Sequence, residues 1–374
     1  MGQGGAAAKN VGERHTGKPL CTCATANLRR VRPLTLVALA ALQLPLAAAV
    51  RSPDTSVVAR YRPLRKHPAL FDANNGWTQW LDPSLMSALA ELQATGNTTR
   101  LLSLLRVEAS GHSQAYSLPF VSEAFCDLFL EELDHYHTTG LPISRPNSMN
   151  NYGIIVNDIG MKPVLTWLQR TVLHPLAELL YPAQARGGFT DHHSFMVQYR
   201  SDQDQGLDMH TDDSDVTVNI CLGRNFTGAT LTVCGDNHMP DHRQYHATYH
   251  HVRGRALIHL GSRRHGADDI LAGERNNLIV WNHNQKYRDS TENVNNLPFY
   301  PEQAPPDPRC LSYTHDRDFG GFLDYPPGKA EFRSKGWCPP EKACYAQMDR
   351  VFSNIDYGLK TDFTLKGWDL KSEL

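Results

Sequence analysis

This chain lacks several features that would assign it to a large class of proteins. Its 374 residues carry a formal net charge of −2 and no basic stripe, so nothing indicates nucleic-acid binding. No internal repeat of roughly 20 to 50 residues appears, which excludes solenoids and propellers. The hydrophobic content of 41% is nevertheless sufficient for a core, and the length allows one large or two ordinary domains.

The eight cysteines match neither the spacing of a zinc ribbon nor that of a small disulfide scaffold. Cys221 and Cys234 lie in predicted strands, and we expect both to be buried thiols. Cys338 and Cys344 could pair in an oxidising compartment, which the sequence leaves open.

Long hydrophobic runs are also scarce, and one candidate stands near the N-terminus. Residues 34–50 form a 17-residue, mostly apolar stretch preceded by Arg29, Arg30 and Arg32. This pattern fits a signal peptide or signal anchor, an organelle transit segment, or a leader without targeting function. The last four residues, 371–374, resemble an ER-retention tail with Ser in the usual Asp position. The compartment therefore stays open between the secretory pathway, a membrane anchor, an organelle and the cytoplasm.

The remaining chain divides into four segments. We expect a leader over 1–55, a helical region packing on the core over 56–185, a β core over 186–288 and an irregular, Pro-rich extension over 289–374. Helical apolar spacing begins at Pro83, at Ser122 as an N-cap, and at Val164.

The strongest chemical signal is His210-Thr211-Asp212, followed by His265 and, ten residues later, by Arg275. Two imidazoles and one carboxylate are the facial triad of non-haem Fe(II) oxygenases. A guanidinium can hold a carboxylate in bidentate fashion, so Arg275 suits an acidic co-substrate. The pattern predicts an iron enzyme that uses a small dicarboxylic acid.

The context of these residues supports that interpretation. Short β-rich runs at 195–199, 216–222, 228–233, 255–260 and 277–281 place the candidate ligands at strand ends or in short loops. This arrangement predicts a mainly β protein with flanking helices and a double-stranded β-helix, or jelly roll, as its core. We expect His259 and Trp281 to be barrel and core side chains rather than ligands.

A second set of histidines offers a rival metal site. His238, His242, His246 and His250 recur every four residues, a spacing that on a helix would form a zinc site. Pro240 interrupts the segment, and we therefore favour a solvated loop between two strands.

Two further segments carry a family resemblance. Residues 145–153, with the sequence RPNSMNNYG, and residues 191–199, with the sequence DHHSFMVQY, resemble the 2-oxoglutarate and iron-dependent oxygenase domain-containing proteins. These belong to the prolyl 4-hydroxylase-like branch of the 2-oxoglutarate/Fe(II)-dependent dioxygenases. The resemblance covers about residues 60–290 and is lost beyond them.

This resemblance implies residue roles. His210, Asp212 and His265 would be the iron ligands, Arg275 would bind the far carboxylate of 2-oxoglutarate, and Tyr199 would either hydrogen-bond the co-substrate or line the barrel wall. Residues 150–152 would line the substrate side or form a capped turn, and we slightly favour the turn.

The resemblance also implies an activity. The enzyme would couple decarboxylation of 2-oxoglutarate, to succinate and CO2, to hydroxylation by O2, with L-ascorbate as an accessory. The substrate stays open between prolyl, lysyl or other protein residues and small molecules. The alternative functions are a non-catalytic jelly-roll metal-binding protein and an interaction module.

Overall fold

The computed structural model describes residues 55–147, 149–244, 246–294, 307–310 and 312. The predictions about segment 34–50, about Cys338 and Cys344, and about the tail at 371–374 lie outside these residues. Within the described ranges, no helix combines the length and the apolar character needed to cross a membrane.

Helices and strands segregate along the described chain. The helices are α1 (Thr55–Tyr61), α2 (Pro83–Thr95), α3 (Thr99–Leu104), α4 (Glu123–Thr138), α5 (Lys162–Leu168), α6 (His174–Leu180), α7 (Pro182–Ala185), α8 (Gln285–Arg288) and α9 (Thr291–Val294). The strands are β1 (Arg106–Ala109), β2 (Ala115–Pro119), β3 (Gly153–Ile155), β4 (Asp191–Arg200), β5 (Leu207–His210), β6 (Val216–Gly223), β7 (Phe226–Gly228), β8 (Leu231–Asp236), β9 (Ala247–Tyr249), β10 (Arg255–Leu260), β11 (Arg263–Ala267) and β12 (Ile270–His283). Segments of π-helix, Asn157–Met161 and Gln169–Leu173, flank α5.

Two antiparallel sheets form the β core. The major sheet has the order β1-β2-β10-β6-β12-β4-β3, with β7 beside β12, and the minor sheet has the order β5-β11-β8-β9. Side chains of both sheets pack into one shared apolar cluster, so the sheets lie face to face. The predicted jelly-roll core with flanking helices is confirmed.

Successive side chains of a strand point to opposite faces of the major sheet, and both faces are buried. On β4, Met196 joins the core beneath the helices, whereas its neighbours Phe195 and Val197 join the cluster between the sheets. On β12, Leu278 and Ile279 separate in the same way. The interior between the sheets is therefore shielded from solvent by a second apolar layer.

Helices α2 and α4 begin where the sequence predicts, whereas the helix predicted from Val164 begins at Lys162. The Ser122 hydroxyl accepts a hydrogen bond from the Phe125 backbone N–H at 3.2 Å, which caps α4. Asp82 caps α2 through the N–H groups of Ser84 and Leu85. The α4 aromatics Phe125 and Phe129 are fully buried and hold the helix on the major sheet.

The predicted helical region also contributes strands, which the sequence analysis missed. β2 pairs with β10 and β3 pairs with β4, so both belong to the major sheet. The boundary drawn between 185 and 186 is thus crossed by the sheet. Strands of three to five residues carry too few periods for their pattern to be recognised.

The cysteine prediction is half wrong. Cys221 is a buried free thiol, as expected. Cys234 is instead joined to Cys310, which lies 76 residues further along the chain. Cys310 packs against Met209 and Cys234 in a small cluster of its own. Spacing rules cannot find such a pair, because only the fold brings these two residues together.

Candidate functional site

The three predicted iron ligands converge at the edge of the minor sheet. His210 ends β5 and lies opposite His265 of β11 in the strand register. Asp212 follows in the next loop, which its backbone N–H anchors to the Gly261 carbonyl at 2.9 Å. One ligand atom from each side chain lies within 4.8 Å of the others. Among the described residues, no other group of three or more His, Cys, Asp or Glu side chains converges in this way.

Hydrogen bonds on the far side of each ligand fix its orientation. The Nδ1 atom of His210 lies 2.7 Å from the Asp208 carbonyl, and that of His265 lies 2.9 Å from the Arg263 carbonyl. A carbonyl can only accept, so each Nδ1 carries a proton, and in the neutral imidazole the lone pair is then on Nε2. Both Nε2 atoms lie 3.6 Å from Asp212 Oδ1.

The third ligand is supported in the same manner. The Thr217 hydroxyl donates to Asp212 Oδ2 at 2.7 Å, which leaves Oδ1 directed at the imidazoles. Such supporting bonds are typical of metal ligands. The donor set therefore fits a divalent transition metal bound on one face by two nitrogens and one oxygen.

Electrostatics keep Asp212 and His265 in the protonation states that metal binding requires. Burial alone would raise the pKa of Asp212, but the imidazoles of His265 and His210 outweigh it and hold that pKa far below its usual range. Burial lowers the pKa of His265 to about 3. At neutral pH the carboxylate is therefore charged and the His265 imidazole is neutral.

A cavity between the two sheets connects the ligands to Arg275 and Tyr199. The two residues face each other across β12 and β4, and the Arg275 Cζ lies 4.4 Å from the centre of the Tyr199 ring. Arg275 is only 2% exposed. Its Nη1 donates to the Ala229 carbonyl at 2.5 Å, while its Nε has no partner in the described part of the chain.

This guanidinium is a buried charge that lacks a direct ion pair within the described residues. Burial lowers the pKa of Arg275, and no acidic side chain among the described residues forms an ion pair with it. A buried charge is normally paired, because desolvation is costly. An anionic ligand in the cavity would supply the missing partner.

The predicted substrate-side segment divides into two parts. Asn150 lines the cavity and donates to the Tyr199 hydroxyl at 3.1 Å. Asn151 and Tyr152 instead donate their backbone N–H groups to the buried Asp204, at 2.7 and 3.2 Å. Asn147 forms the capped turn that we expected, so the turn and the cavity lining coexist in one segment.

The remaining histidine and tryptophan predictions also have clear outcomes. The segment holding the four periodic histidines is turn-rich rather than helical, but His242 is fully buried, so the expectation of a solvated loop was wrong there. His259 is a buried barrel side chain outside the ligand group, as predicted. Trp281 packs against the cluster between the sheets and in addition lines the cavity.

Besides Asn147, sequence reasoning missed three polar residues of the site, all of them on strands. Thr217, Asn219 and Asn277 line the cavity from β6 and β12. The Asn277 side chain donates to Asn219 Oδ1 at 2.5 Å, so one wall of the otherwise apolar cavity carries a pair of polar side chains. The only available signal was their place in otherwise apolar strands, where a buried polar residue needs a partner.

Comparison with known proteins finds one matching domain family and several similar proteins. Residues 57–186 match the OGFOD2-like domain family, a range that ends before the metal ligands. The Homo sapiens protein named 2-oxoglutarate and iron-dependent oxygenase domain-containing protein 2 is 38% identical over 180 residues, which are 48% of this chain and 51% of that protein. The Arabidopsis thaliana protein named 2-oxoglutarate and iron-dependent oxygenase domain-containing protein ICU11 is 31% identical over 250 residues, which are 64% of this chain and 63% of that protein.

One solved structure similar to this chain is a prolyl hydroxylase from Trichoplax adhaerens in complex with a hypoxia inducible factor oxygen degradation domain peptide fragment. It is 14% identical, with a TM-score of 0.35, and the match covers 55% of this chain and 93% of that one. The chain spans about half of the length of the Homo sapiens relative. The resemblance that the sequence predicts is confirmed: this chain is similar to the 2-oxoglutarate and iron-dependent oxygenase domain-containing proteins, and its residues 57–186 match the OGFOD2-like domain.

Proposed function

We propose that this protein is a 2-oxoglutarate- and Fe(II)-dependent dioxygenase that hydroxylates its substrate. One observation carries the proposal: the His210, Asp212 and His265 ligand atoms converge within 4.8 Å, in the same cavity as the buried Arg275, which forms no ion pair with any acidic side chain of the described residues. A redox-inactive binding site would explain the ligands but not the arginine. An iron site with an acidic co-substrate explains both.

Each residue has a role in this proposal. His210, Asp212 and His265 would hold Fe(II) on one face and leave the opposite face for the keto acid and O2. Arg275 would form an ion pair with the far carboxylate of 2-oxoglutarate, and Tyr199 would donate a hydrogen bond to the same group. The apolar walls, among them Phe195 and Ile279, would keep water away from the reacting atoms.

The proposed reaction balances without a further oxidant. Bound Fe(II) would supply the activation of O2. One oxygen atom would enter the carboxylate of succinate as CO2 is released, and the other would enter the substrate as a hydroxyl group. We include L-ascorbate as an accessory reductant on the strength of the resemblance alone, and turnover with and without it tests that addition.

The test is optical and needs no substrate. Fe(II) and 2-oxoglutarate are added anaerobically to the full chain, and the visible metal-to-ligand charge-transfer band is recorded. We expect a band in the wild type, no band in His265→Ala because iron is not held, and a band only at much higher 2-oxoglutarate in Arg275→Ala. Absence of the band from the wild type with Fe(II) bound would contradict the proposal.

The same experiment separates the alternative function. A jelly-roll metal-binding or interaction module would bind a metal such as zinc without responding to 2-oxoglutarate. Metal content measured beside the spectrum distinguishes that outcome from a simple loss of iron.

A further inference from the structure

A chain of hydrogen bonds connects the segment 145–152 to the proposed co-substrate pocket. Asn147 Oδ1 accepts from the backbone N–H groups of Met149 and Asn150, at 2.9 and 2.7 Å. Asn147 Nδ2 donates to Asn150 Oδ1 at 3.1 Å, and Asn150 Nδ2 donates to the Tyr199 hydroxyl at 3.1 Å. All three side chains line the cavity.

The donor and acceptor roles in this series of hydrogen bonds are set by Asn147. A backbone N–H can only donate, so the Asn147 atom that receives two of them must be its oxygen. The other end of the Asn147 amide is then the nitrogen, which makes the facing atom of Asn150 an oxygen. It follows that Asn150 presents its nitrogen to Tyr199.

These donor and acceptor roles determine how the Tyr199 hydroxyl can bind a ligand. A phenolic hydroxyl has one proton to donate, and the bond from Asn150 occupies an acceptor position. No side chain or backbone acceptor for the Tyr199 proton is found in the described ranges of the chain. The facing Arg275 has no acceptor to offer, because a guanidinium only donates. The proton is therefore left for a ligand in the cavity.

We propose that Asn147 and Asn150 are positioning residues that keep the Tyr199 hydroxyl as a hydrogen-bond donor toward the far carboxylate of 2-oxoglutarate. This inference rests on the proposed function, which supplies the carboxylate. Tyr199 and Arg275 then form a donor-only end of the cavity, which selects an ionised carboxylate over a neutral end group.

The segment 145–152 has other anchors, so the hydrogen bonds from Asn147 to Asn150 and from Asn150 to Tyr199, called the relay below, are not needed for its folding. Asp204 holds Asn151 and Tyr152, and the His193 Nε2 atom lies 2.9 Å from the Pro146 carbonyl. Removing the Asn150 amide leaves all of these contacts in place. Asn151→Ala provides the matched control, because Asn151 lies in the same segment and its side-chain amide donates to Asp204 rather than to Tyr199.

The experiment measures selectivity rather than turnover. Isothermal titration calorimetry on the Mn(II)-loaded full chain gives Kd for 2-oxoglutarate and for 2-oxopentanoate, which has the same chain length without the far carboxylate. We expect Asn150→Ala to reduce the preference for 2-oxoglutarate about 10-fold, the effect of weakening one hydrogen bond to a charged group. Asn151→Ala should leave the preference unchanged.

A double-mutant cycle removes the remaining ambiguity. In a Tyr199→Phe background the hydroxyl is absent, so Asn150→Ala should cause no further change in the preference. Asn147→Asp gives a second route, since an ionised carboxylate still accepts both backbone N–H groups but cannot donate to Asn150. We expect it to weaken 2-oxoglutarate binding more in the wild-type background than in Tyr199→Phe.

The outcomes separate the two proposals. If the wild type does not prefer 2-oxoglutarate over 2-oxopentanoate, the proposed function fails, and the relay fails with it. If the wild type shows the preference but Asn150→Ala keeps it, or lowers it equally in the Tyr199→Phe background, the relay alone is wrong.

Discussion

The hydrogen bond between Thr217 and Asp212 offers a sharp test of the metal site. Thr217 is 1% exposed, and its hydroxyl lies 2.7 Å from Asp212 Oδ2, the carboxylate oxygen turned away from the imidazoles. Thr217→Val keeps the shape of the side chain and removes the hydroxyl. The carboxylate then loses the contact that fixes its orientation.

The magnitude follows from the nature of this bond. A hydrogen bond to a charged group contributes about 1.5 to 3 kcal/mol, and its loss leaves a buried carboxylate oxygen without that partner. Loss of a supporting bond to a ligand typically weakens metal binding by about 10- to 100-fold. We therefore expect Thr217→Val to raise the Kd for the metal at least about 10-fold and to lower the stability of the metal-free protein.

The assay compares three proteins. Competition with a chromogenic chelator gives the metal Kd of the wild type, of Thr217→Val and of Thr217→Ser, and thermal unfolding of each metal-free protein gives its stability. The Ser variant keeps the hydroxyl and loses only a methyl group, so it should bind metal almost as well as the wild type. Equal weakening in the Val and Ser variants would show that packing, not the hydrogen bond, supports the ligand, and our reasoning would be refuted.

Three further predictions concern the scaffold. Burial lowers the pKa of His192 to about 4, so between about pH 6.5 and 4 the unfolded chain binds a proton that the native state does not bind. The free energy of unfolding should therefore fall as the pH drops through this range, and it should fall less in His192→Gln. Urea titrations at several pH values measure this difference. The Cys234–Cys310 bond closes a long loop, and Cys234→Ser should cost about 2 to 4 kcal/mol of unfolding free energy in non-reducing buffer but little in the presence of a reductant. Gly153 has a φ of 134°, and a Cβ there would lie 2.0 Å from the Met196 carbonyl oxygen. Gly153→Ala should therefore lower the free energy of unfolding by at least about 2 kcal/mol. An unchanged midpoint in chemical denaturation would contradict this packing.

The sequence was informative wherever a function or an element is encoded locally. Ser122 caps its helix within three residues, and residues 278–281 of β12 form the continuous apolar run of a strand buried on both faces. The predicted ligands His210 and Asp212 are two residues apart, and the spacing to His265 resembles a family pattern. These features depend on the chemistry of neighbours, which a sequence displays directly.

The features that the sequence could not predict depend on which distant segments the fold brings into contact. Arg275 faces Tyr199 only because β12 pairs with β4, and Cys234 meets Cys310 across 76 residues. Asn147 alone does not indicate a function, since asparagine is common in turns. Two backbone N–H groups orient its amide, which orients the amide of Asn150, which in turn donates to the Tyr199 hydroxyl on β4. The types of the predicted ligands therefore indicate which metal the site would hold, whereas the donor character of the proposed co-substrate end follows only from hydrogen bonds that the fold assembles.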